Sequence, residues 1–271
     1  MTALPLFVIV PPARGWDWLT QSHAMFSRAR MYWLLLILGY YILWLVTTIV
    51  PVAGIFAAML LKPVFAVGFL AAAWAQERGE RPRLQRLFAG FRSNLRALLP
   101  LGVFHALGMS AALVMSATMD GGTLMRWSLL GEAPPGGNPW QAPGMQWAAL
   151  VALFCSAPTI FALWFAPALV VFQDQSASTA LVQSFRASIA NIRAAIVYGM
   201  SVILFWIVIP GLIISISVLL FGEPGVYLGV ALSTPFTLSV IAIIFIADYV
   251  VYRDLFHHHE GLAARAEKPG I

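Results

Sequence analysis

Six long apolar runs most constrain how this sequence can fold, and each carries at most one formally charged residue. An α-helix needs about 20 apolar residues to cross the hydrocarbon core of a bilayer. The chain is 61% hydrophobic and 10% charged, whereas soluble domains are about 25% charged. The sequence therefore predicts an all-α polytopic membrane protein with six transmembrane helices. The runs are Met31–Val50, Val52–Ala75, Ala97–Thr118, Met145–Phe172, Ala194–Phe221 and Gly225–Tyr252.

The basic residues predict how the chain is oriented. The net charge of +5 is spread over the ends of the apolar runs, so it does not form the single basic face that would indicate nucleic-acid binding. Of the segments that connect runs on the second side, only Met119–Gly144 contains a basic residue, Arg126. Because Lys and Arg are in excess in cytoplasmic segments, we expect a multi-pass protein of the cell inner (plasma) membrane with both termini cytoplasmic.

Residues 1–15 are interpreted as an extended N-terminal lead-in. The apolar segment Leu4–Val10 is very short, has no basic residue before it and ends at Pro11 and Pro12, unlike a cleaved signal peptide. The first span is therefore expected to act as an uncleaved signal anchor.

Three polar segments predict amphipathic helices on the cytoplasmic surface of the membrane. The first is Trp16–Arg30, and the third is Ala177–Asn191. The second lies within Gln76–Arg96, where apolar residues recur with helical spacing. Each precedes two spans, so a single membrane domain divides into hairpin units at 16–76, 77–172 and 173–252, followed by a flexible cytoplasmic tail at 253–271. The apolar residues with this spacing are Leu84, Leu87, Phe88, Phe91, Leu95 and, just after the segment, Leu98.

The second and third hairpin units match at an offset of 97 residues, which predicts an internal repeat. Because short apolar helices also match by chance, a coincidental match is the alternative. The matched pairs are Phe88 with Phe185, Asn94 with Asn191, Arg96 with Arg193 and Gly102 with Gly199.

A basic collar of arginines predicts contact with lipid headgroups, because each arginine near an anionic leaflet contributes about 1 kcal/mol. We define the collar as Arg83, Arg86, Arg92, Arg96, Arg186 and Arg193. Asp174 and Asn191 are further candidates for facing lipid or a partner. The alternative for Asp174 and Asp248 is an ion pair with Arg186, Arg193 or Arg253, or a helix cap. Anionic membrane lipids are the expected partners, and the sequence leaves protein partners and oligomeric state open.

Two polar side chains, Lys62 and His105, fall inside predicted spans. A charge at the bilayer centre costs about 2.5–3.5 kcal/mol on insertion scales, so Lys62 should pair, face water or be neutral. It predicts an anion or proton site facing the interior of the bundle, unless it snorkels or the helix breaks at Pro63. For His105, a hydrogen-bonded packing role is the alternative to a proton relay.

Prolines inside four of the spans each free a backbone carbonyl one turn earlier. Such carbonyls could line a transport path, although proline is common in membrane helices. These prolines are Pro63, Pro158, Pro210 and Pro235. Gly225 and Gly229 form one GxxxG pattern, a weak signal for helix packing.

No set of residues indicates catalysis, so we expect a protein that is not an enzyme and has no cofactor. The sequence HEGLA at His259 lacks the second histidine of a zincin motif. His257, His258 and His259 are weak candidates for a metal site, since consecutive histidines on a terminal tail more often bind metals adventitiously.

Several segments resemble an uncharacterised family of bacterial six-span inner-membrane proteins. They are PARGWDWL at Pro12–Leu19, FAPALVVFQD at Phe165–Asp174, SFRASIAN at Ser184–Asn191, VYG at 197–199 and DYVVYRDLF at Asp248–Phe256. The resemblance implies the predicted topology and a Gram-negative inner-membrane location, and it implies no mechanism. Lys62 and the histidine-rich tail have no place in its pattern.

Two functional hypotheses follow. The first is a non-enzymatic scaffold or lipid-interacting protein that uses the basic collar. The alternative is a transporter or channel for a small anionic or lipid-like solute, with Lys62 and the mid-span prolines lining the path.

Overall fold

A computed structural model describes residues 7–257 apart from Thr48, Pro51, Pro135 and Gly136. Within that part of the chain every regular element is helical and no strand is present. The α-helices are α1 (Arg14–Arg28), α2 (Arg30–Thr47), α3 (Ala53–Glu77), α4 (Ala89–Arg92), α5 (Leu95–Asp120), α6 (Thr123–Leu130), α7 (Met145–Leu163), α8 (Ala166–Gln173), α9 (Ala177–Ala190), α10 (Ile192–Ile203), α11 (Ile209–Phe221) and α12 (Pro224–Phe256). Short 3-10 turns occupy Leu84–Phe88 and Pro139–Gln141, and a π-helical turn occupies Leu204–Val208.

The six predicted spans are confirmed, with boundaries that differ by a few residues. The helical stretches long and apolar enough to cross a membrane are Arg30–Thr47, Ala53–Glu77, Leu95–Asp120, Met145–Gln173, Ile192–Phe221 and Pro224–Phe256. The protein is therefore an all-α, polytopic membrane protein. Helix α6 lies in the long connection after the third span.

The fourth span is interrupted near its end by a side chain from α9. Pro167 cannot donate a backbone hydrogen bond and stands in the first turn of α8. Next to it, the backbone N–H of Phe165 donates to Ser184 Oγ at 3.0 Å, and Ser184 Oγ donates to the carbonyl oxygen of Phe161 at 2.9 Å. The hydroxyl thus inserts between two groups that would bond directly in a regular helix, which is a known cause of a helix break.

The described residues group into two compact bodies. As far as the structure describes them, body 1 comprises residues 7–40, Ala66–Ala89 and residues 187–257, and body 2 comprises Tyr41–Phe65 and Gly90–Arg186. Spans α2 and α3 therefore contribute residues to both.

Close backbone approaches fix the packing within body 1. At Gly15 in α1, an added Cβ would lie 2.3 Å from the carbonyl oxygen of Ala194 in α10. At Gly225 in α12, it would lie 2.0 Å from the carbonyl oxygen of Ser217 in α11. A side chain at either glycine would force the helices apart. The GxxxG pattern therefore packs one helix of the last hairpin against the other.

Close approaches at glycines also fix the packing within body 2. An added Cβ at Gly102 in α5 would lie 2.0 Å from the carbonyl oxygen of Leu60 in α3. At Gly108, it would lie 2.2 Å from Thr159 Oγ1 in α7. These glycines bring α5 close to its neighbours, and Gly102 is one turn from the polar site described below.

The second of the predicted surface segments differs from the prediction. Helices α1 and α9 match the first and third segments, but one continuous helix over 84–98 is wrong. The chain forms a 3-10 turn and the four-residue α4, and it begins α5 only at Leu95. Gly90 lies against the Val64 carbonyl oxygen, 2.0 Å from where a Cβ would stand, and Ser93 Oγ donates to the Gly90 carbonyl at 3.0 Å. The chain turns here, and Asn94 caps the next helix by accepting the Ala97 N–H at 3.3 Å.

The first residues of the tail predicted to be flexible, Arg253–Phe256, are helical. Helix α12 continues to Phe256, and Asp254 and Leu255 are buried. Residues 258–271, with His258 and His259, lie outside the described residues.

Candidate functional site

An ion pair with a buried carboxylate joins the start of α1 to the end of α12 in body 1. The carboxylate of Asp254, a residue only 7% exposed, accepts hydrogen bonds from Arg14 Nε at 3.0 Å and Arg14 Nη2 at 2.5 Å. The indole N–H of the fully buried Trp18 donates to the same carboxylate at 2.8 Å. The hydrogen bond to Asp254 raises the pKa of Arg14 above its usual value, against the opposing effect of burial. A buried carboxylate needs such partners, so the cluster fixes α1 against α12.

Glu77, the last residue of α3, is a second junction. Its carboxylate accepts hydrogen bonds from the Tyr249 hydroxyl and the Arg253 guanidinium, both in α12. Arg253 Nη2 also donates to Gln21 Oε1 in α1 at 2.9 Å. Charge-assisted hydrogen bonds are the stronger ones, and these connect α1, α3 and α12.

Gln76 uses both ends of its amide. Its Oε1 accepts the indole N–H of Trp33 at 2.6 Å, and its Nε2 donates to the carbonyl oxygen of Met25 at 2.6 Å. Trp33 is fully buried. The amide therefore ties the end of α3 to α1 and to the first turn of α2.

A cleft of about 800 Å³ opens beside these residues. Its walls come from α1, the first turn of α2, the end of α3 with the loop after it, and α12. Its polar lining residues include Gln21, Arg28, Tyr32, Gln76, Arg81 and Arg253, together with Glu77 and Glu80. The volume lies within the range of about 300–1,000 Å³ that is usual for small-molecule sites.

Asn191 is not a headgroup-facing residue, because the structure buries it to 3% exposure. Its Oδ1 accepts the Val10 N–H at 2.9 Å, and its Nδ2 donates to the Val8 carbonyl at 3.1 Å and the Ala187 carbonyl at 3.0 Å. The Val8 N–H in turn donates to the carbonyl oxygen of Leu255 at 2.8 Å. The N-terminal lead-in is therefore bound to the rest of body 1 through its backbone.

The collar arginines fall into two groups. Arg86 pairs with Glu80 at 2.8 Å. The other five are exposed, and none of them pairs with a carboxylate among the described residues. These five are Arg83, Arg92, Arg96, Arg186 and Arg193.

The acidic candidates do not take the predicted partners. Arg253 pairs with Glu77 rather than with Asp248. Asp174 is exposed, ends α8 with φ +54° and does not pair with Arg186. The sequence alternative of an arginine pair is therefore wrong for these two combinations.

The two intramembrane candidates meet in body 2, where Lys62 Nζ lies 3.4 Å from His105 Nε2. His105 Nδ1 lies 2.9 Å from the carbonyl oxygen of Met59. A carbonyl only accepts, so Nδ1 carries a proton, and a neutral ring then presents Nε2 as the acceptor for Lys62. The Met59 carbonyl is the one whose helical N–H partner is replaced by Pro63. Lys62 itself is exposed, whereas His105 is buried.

His257 Nε2 lies 2.7 Å from the Tyr252 hydroxyl. Within the described part of the chain, no group of three or more His, Cys, Asp and Glu residues is arranged to hold a metal ion.

Comparison with known proteins identifies a relative of this sequence. The sequence is 30% identical to a probable inner membrane protein of Burkholderia thailandensis over 248 residues, which cover 89% of this chain and 90% of that protein. The chain belongs to this bacterial inner-membrane family. No family model matches the sequence, and no solved structure matches it.

In this multi-pass inner-membrane protein, two of the segments that carry the sequence resemblance contact each other, and a third binds the N-terminal lead-in. PARGWDWL supplies Arg14 and Trp18, DYVVYRDLF supplies Asp254, and SFRASIAN supplies Asn191. Sequence reasoning missed the pairing of Arg14 with Asp254. A charged residue at the edge of an apolar run was the available signal, but the chain does not reveal which of many opposite charges lies across from it.

Proposed function

We propose that this membrane protein binds anionic lipids through its basic collar, as a non-enzymatic scaffold or lipid-interacting protein with both termini in the cytoplasm. One observation carries the proposal: five collar arginines are exposed without a carboxylate partner among the described residues. Elsewhere in the same chain, Arg14 and Arg253 are held by carboxylates. An exposed arginine beside a spanning helix has lipid phosphate as its nearest anion, and the guanidinium fork matches phosphate geometry.

The position of these arginines along the chain supports the proposal. Arg96 and Arg193 are the second residues of α5 and α10, which start at positions 97 residues apart. Both are exposed. A repeated arginine at the start of two spans puts positive charge where headgroups lie, provided that these ends face the cytoplasmic leaflet.

The test is lipid binding by the purified protein. We expect Arg83→Gln, Arg92→Gln and Arg96→Gln together to weaken binding of phosphatidylglycerol, measured by native mass spectrometry against phosphatidylcholine. At about 1 kcal/mol for each arginine, the loss of preference is about a hundredfold. The same three positions changed to Lys should keep most of the preference, and Arg126→Gln in the opposite connection should leave it unchanged. An unaltered preference in the triple Gln variant would contradict the proposal.

The contact between Lys62 and His105 favours a second candidate, a transporter or channel. A lysine that donates to a histidine inside a span is a polar site of the kind that marks ion or proton paths. A cysteine at position 62 in a Cys155→Ala background should then react with small aqueous thiol reagents in liposomes. Complete protection of that cysteine would count against transport, and His105→Ala with unchanged solute flux would do so independently.

A further inference from the structure

The cleft in body 1 has a lining that points to its ligand. Two of its carboxylates are already neutralised: Glu77 binds Arg253 and Tyr249, and Glu80 lies 2.8 Å from Arg86 and 3.7 Å from Arg78. They are therefore poor sites for a further cation.

Unlike these carboxylates, two arginines of the cleft have no oppositely charged partner among the described residues. Arg28, in the last turn of α1, is exposed and makes no hydrogen bond or ion pair with a described residue. Arg81 donates to the Tyr32 hydroxyl oxygen at 3.1 Å, and its guanidinium lies 5.8 Å from the centre of that ring. This contact uses one of five N–H donors, and it orients the side chain. Two guanidinium groups without a carboxylate partner among the described residues thus line one cleft.

The remaining polar groups suit an oxyanion or a hydroxyl. Tyr32 accepts from Arg81 and keeps its own O–H to donate. Gln76 is fixed at both ends of its amide, and Gln21 is fixed by Arg253. The walls of the cleft are thus held in place before a ligand arrives, which reduces the entropic cost of binding.

The cleft also lies at the ends of spanning helices. Tyr32 is in the first turn of α2, Glu77 ends α3 and Arg253 is in the last turn of α12. Helix ends of this kind lie at the depth of the lipid headgroups, where tyrosine is also enriched.

We propose that this cleft is a binding site for a phosphate ester, held by Arg28 and Arg81. The ester is either the headgroup of an anionic lipid or a soluble phosphate ester. The lipid form rests on the proposed function and gives it one discrete site, separate from the collar. The chemistry is set by bidentate guanidinium–phosphate contacts, and a phosphomonoester or diester fits a cleft of about 800 Å³.

The test uses a cysteine inside the cleft. Ala24 lines the cleft and is exposed, so Ala24→Cys in a Cys155→Ala background reports on occupancy through its rate of reaction with a small aqueous maleimide. The protein is placed in nanodiscs of phosphatidylcholine, of phosphatidylcholine with phosphatidylglycerol, or of phosphatidylcholine with soluble glycerol 1-phosphate. At a ligand concentration ten times the dissociation constant, labelling should slow about tenfold.

Matched variants make the result specific. Arg28→Gln with Arg81→Gln should abolish the protection, whereas Arg83→Gln with Arg92→Gln removes the same charge from the collar and should preserve it. Arg28→Lys with Arg81→Lys should keep partial protection. This control separates the loss of positive charge in the double Gln variant from misfolding of the cleft. Ser178→Cys, in α9 outside the cleft, should label at one rate in all three conditions.

The outcomes separate the ligand sources. Protection by phosphatidylglycerol alone assigns a lipid headgroup, and protection by glycerol 1-phosphate in a phosphatidylcholine disc assigns a soluble ester. The proposal is overturned if neither slows labelling, or if protection persists in the Arg28→Gln, Arg81→Gln variant. A normal phosphatidylglycerol preference that depends on the collar, with no protection at position 24, would sink this inference and leave the proposed function standing.

Discussion

His105 Nδ1 takes the place of the missing helical donor at Met59, from which it lies 2.9 Å. Pro63 has no N–H to offer that carbonyl. A histidine from one span thus repairs the hydrogen-bond deficit that a proline creates in another.

We predict an energetic coupling between His105 and Pro63. His105→Ala should destabilise the protein by about 1–3 kcal/mol, because it leaves the partly buried Met59 carbonyl unsatisfied. In a Pro63→Ala background the helix restores its own N–H, so the same His105→Ala change should cost less. Denaturant or thermal unfolding in detergent, arranged as a double-mutant cycle, measures the difference. If His105→Ala lowers stability equally in the two backgrounds, His105 does not replace the hydrogen-bond donor that Pro63 lacks.

The Asp254 carboxylate should be among the most sensitive polar groups of body 1. Asp254→Asn removes the buried charge partner of Arg14, which then keeps only Asp17. Breaking a fully buried pair costs about 3–5 kcal/mol, and because the Arg14 side chain is 29% exposed we expect a cost at the lower end, about 3 kcal/mol. The control is Asp17→Asn. The Asp17 carboxylate also lies 3.4 Å from Arg14, but its side chain is 46% exposed, so its loss should cost under about 1 kcal/mol. Similar melting temperatures for the two variants would contradict this assignment.

Ser184 should be essential to the break in the fourth span. Ser184→Ala removes the acceptor of the Phe165 N–H and the donor to the Phe161 carbonyl, so a loss of about 1–3 kcal/mol is expected. The exposed Ser178 in the same helix provides the control, since Ser178→Ala should change stability by less than about 0.5 kcal/mol. Unfolding of both variants in the same detergent measures the two losses of stability. Unchanged stability of Ser184→Ala would mean that the Phe165 N–H bonds directly to the Phe161 carbonyl once the hydroxyl is gone.

Asn191 and Asn94 occupy matching sequence positions but should respond differently to mutation. Asn191→Ala removes both side-chain contacts to the lead-in, so the Val10 amide should exchange its hydrogen faster and trypsin should cleave more readily at Arg14. Asn94→Ala removes only a helix cap, worth about 1 kcal/mol, and should leave that exchange unchanged. Hydrogen exchange with mass spectrometry measures both. Equal protection of residues 7–13 in the two variants would argue against Asn191 holding the lead-in in place.

The spans were predictable because each depends only on the length and polarity of one contiguous stretch. The segment at 84–98 was not, because its helical spacing says nothing of Gly90, whose contact with Val64 turns the chain. Asn191 was misplaced for a similar reason. Its partners Val8 and Val10 lie more than 180 residues away in sequence, and a local amphipathic pattern cannot reveal a partner that folds back from the other end.

Lys62 and His105 were both recognised as intramembrane polar residues, but their contact was not predicted. The neighbour of Lys62 is an imidazole rather than a carboxylate. Its orientation depends on Pro63, which the sequence placed next to Lys62 and which was read as a possible wall of a path. The sequence predicted that Pro63 frees a backbone carbonyl, but it did not predict that His105 donates to that carbonyl.

The contacts that the N-terminal lead-in and α1 make with α12 set an order for biogenesis. The Val8 amide donates to the carbonyl oxygen of Leu255, and Trp18 donates to Asp254, so a segment that precedes all six spans contacts the helix of the sixth. Until α12 enters the membrane, an indole and a guanidinium that are destined for its end have no docking place. The insertion machinery must therefore hold or tolerate an unfinished N-terminal segment throughout synthesis of the other spans. A ribosome stalled before α12 should yield a nascent chain whose lead-in is open to protease.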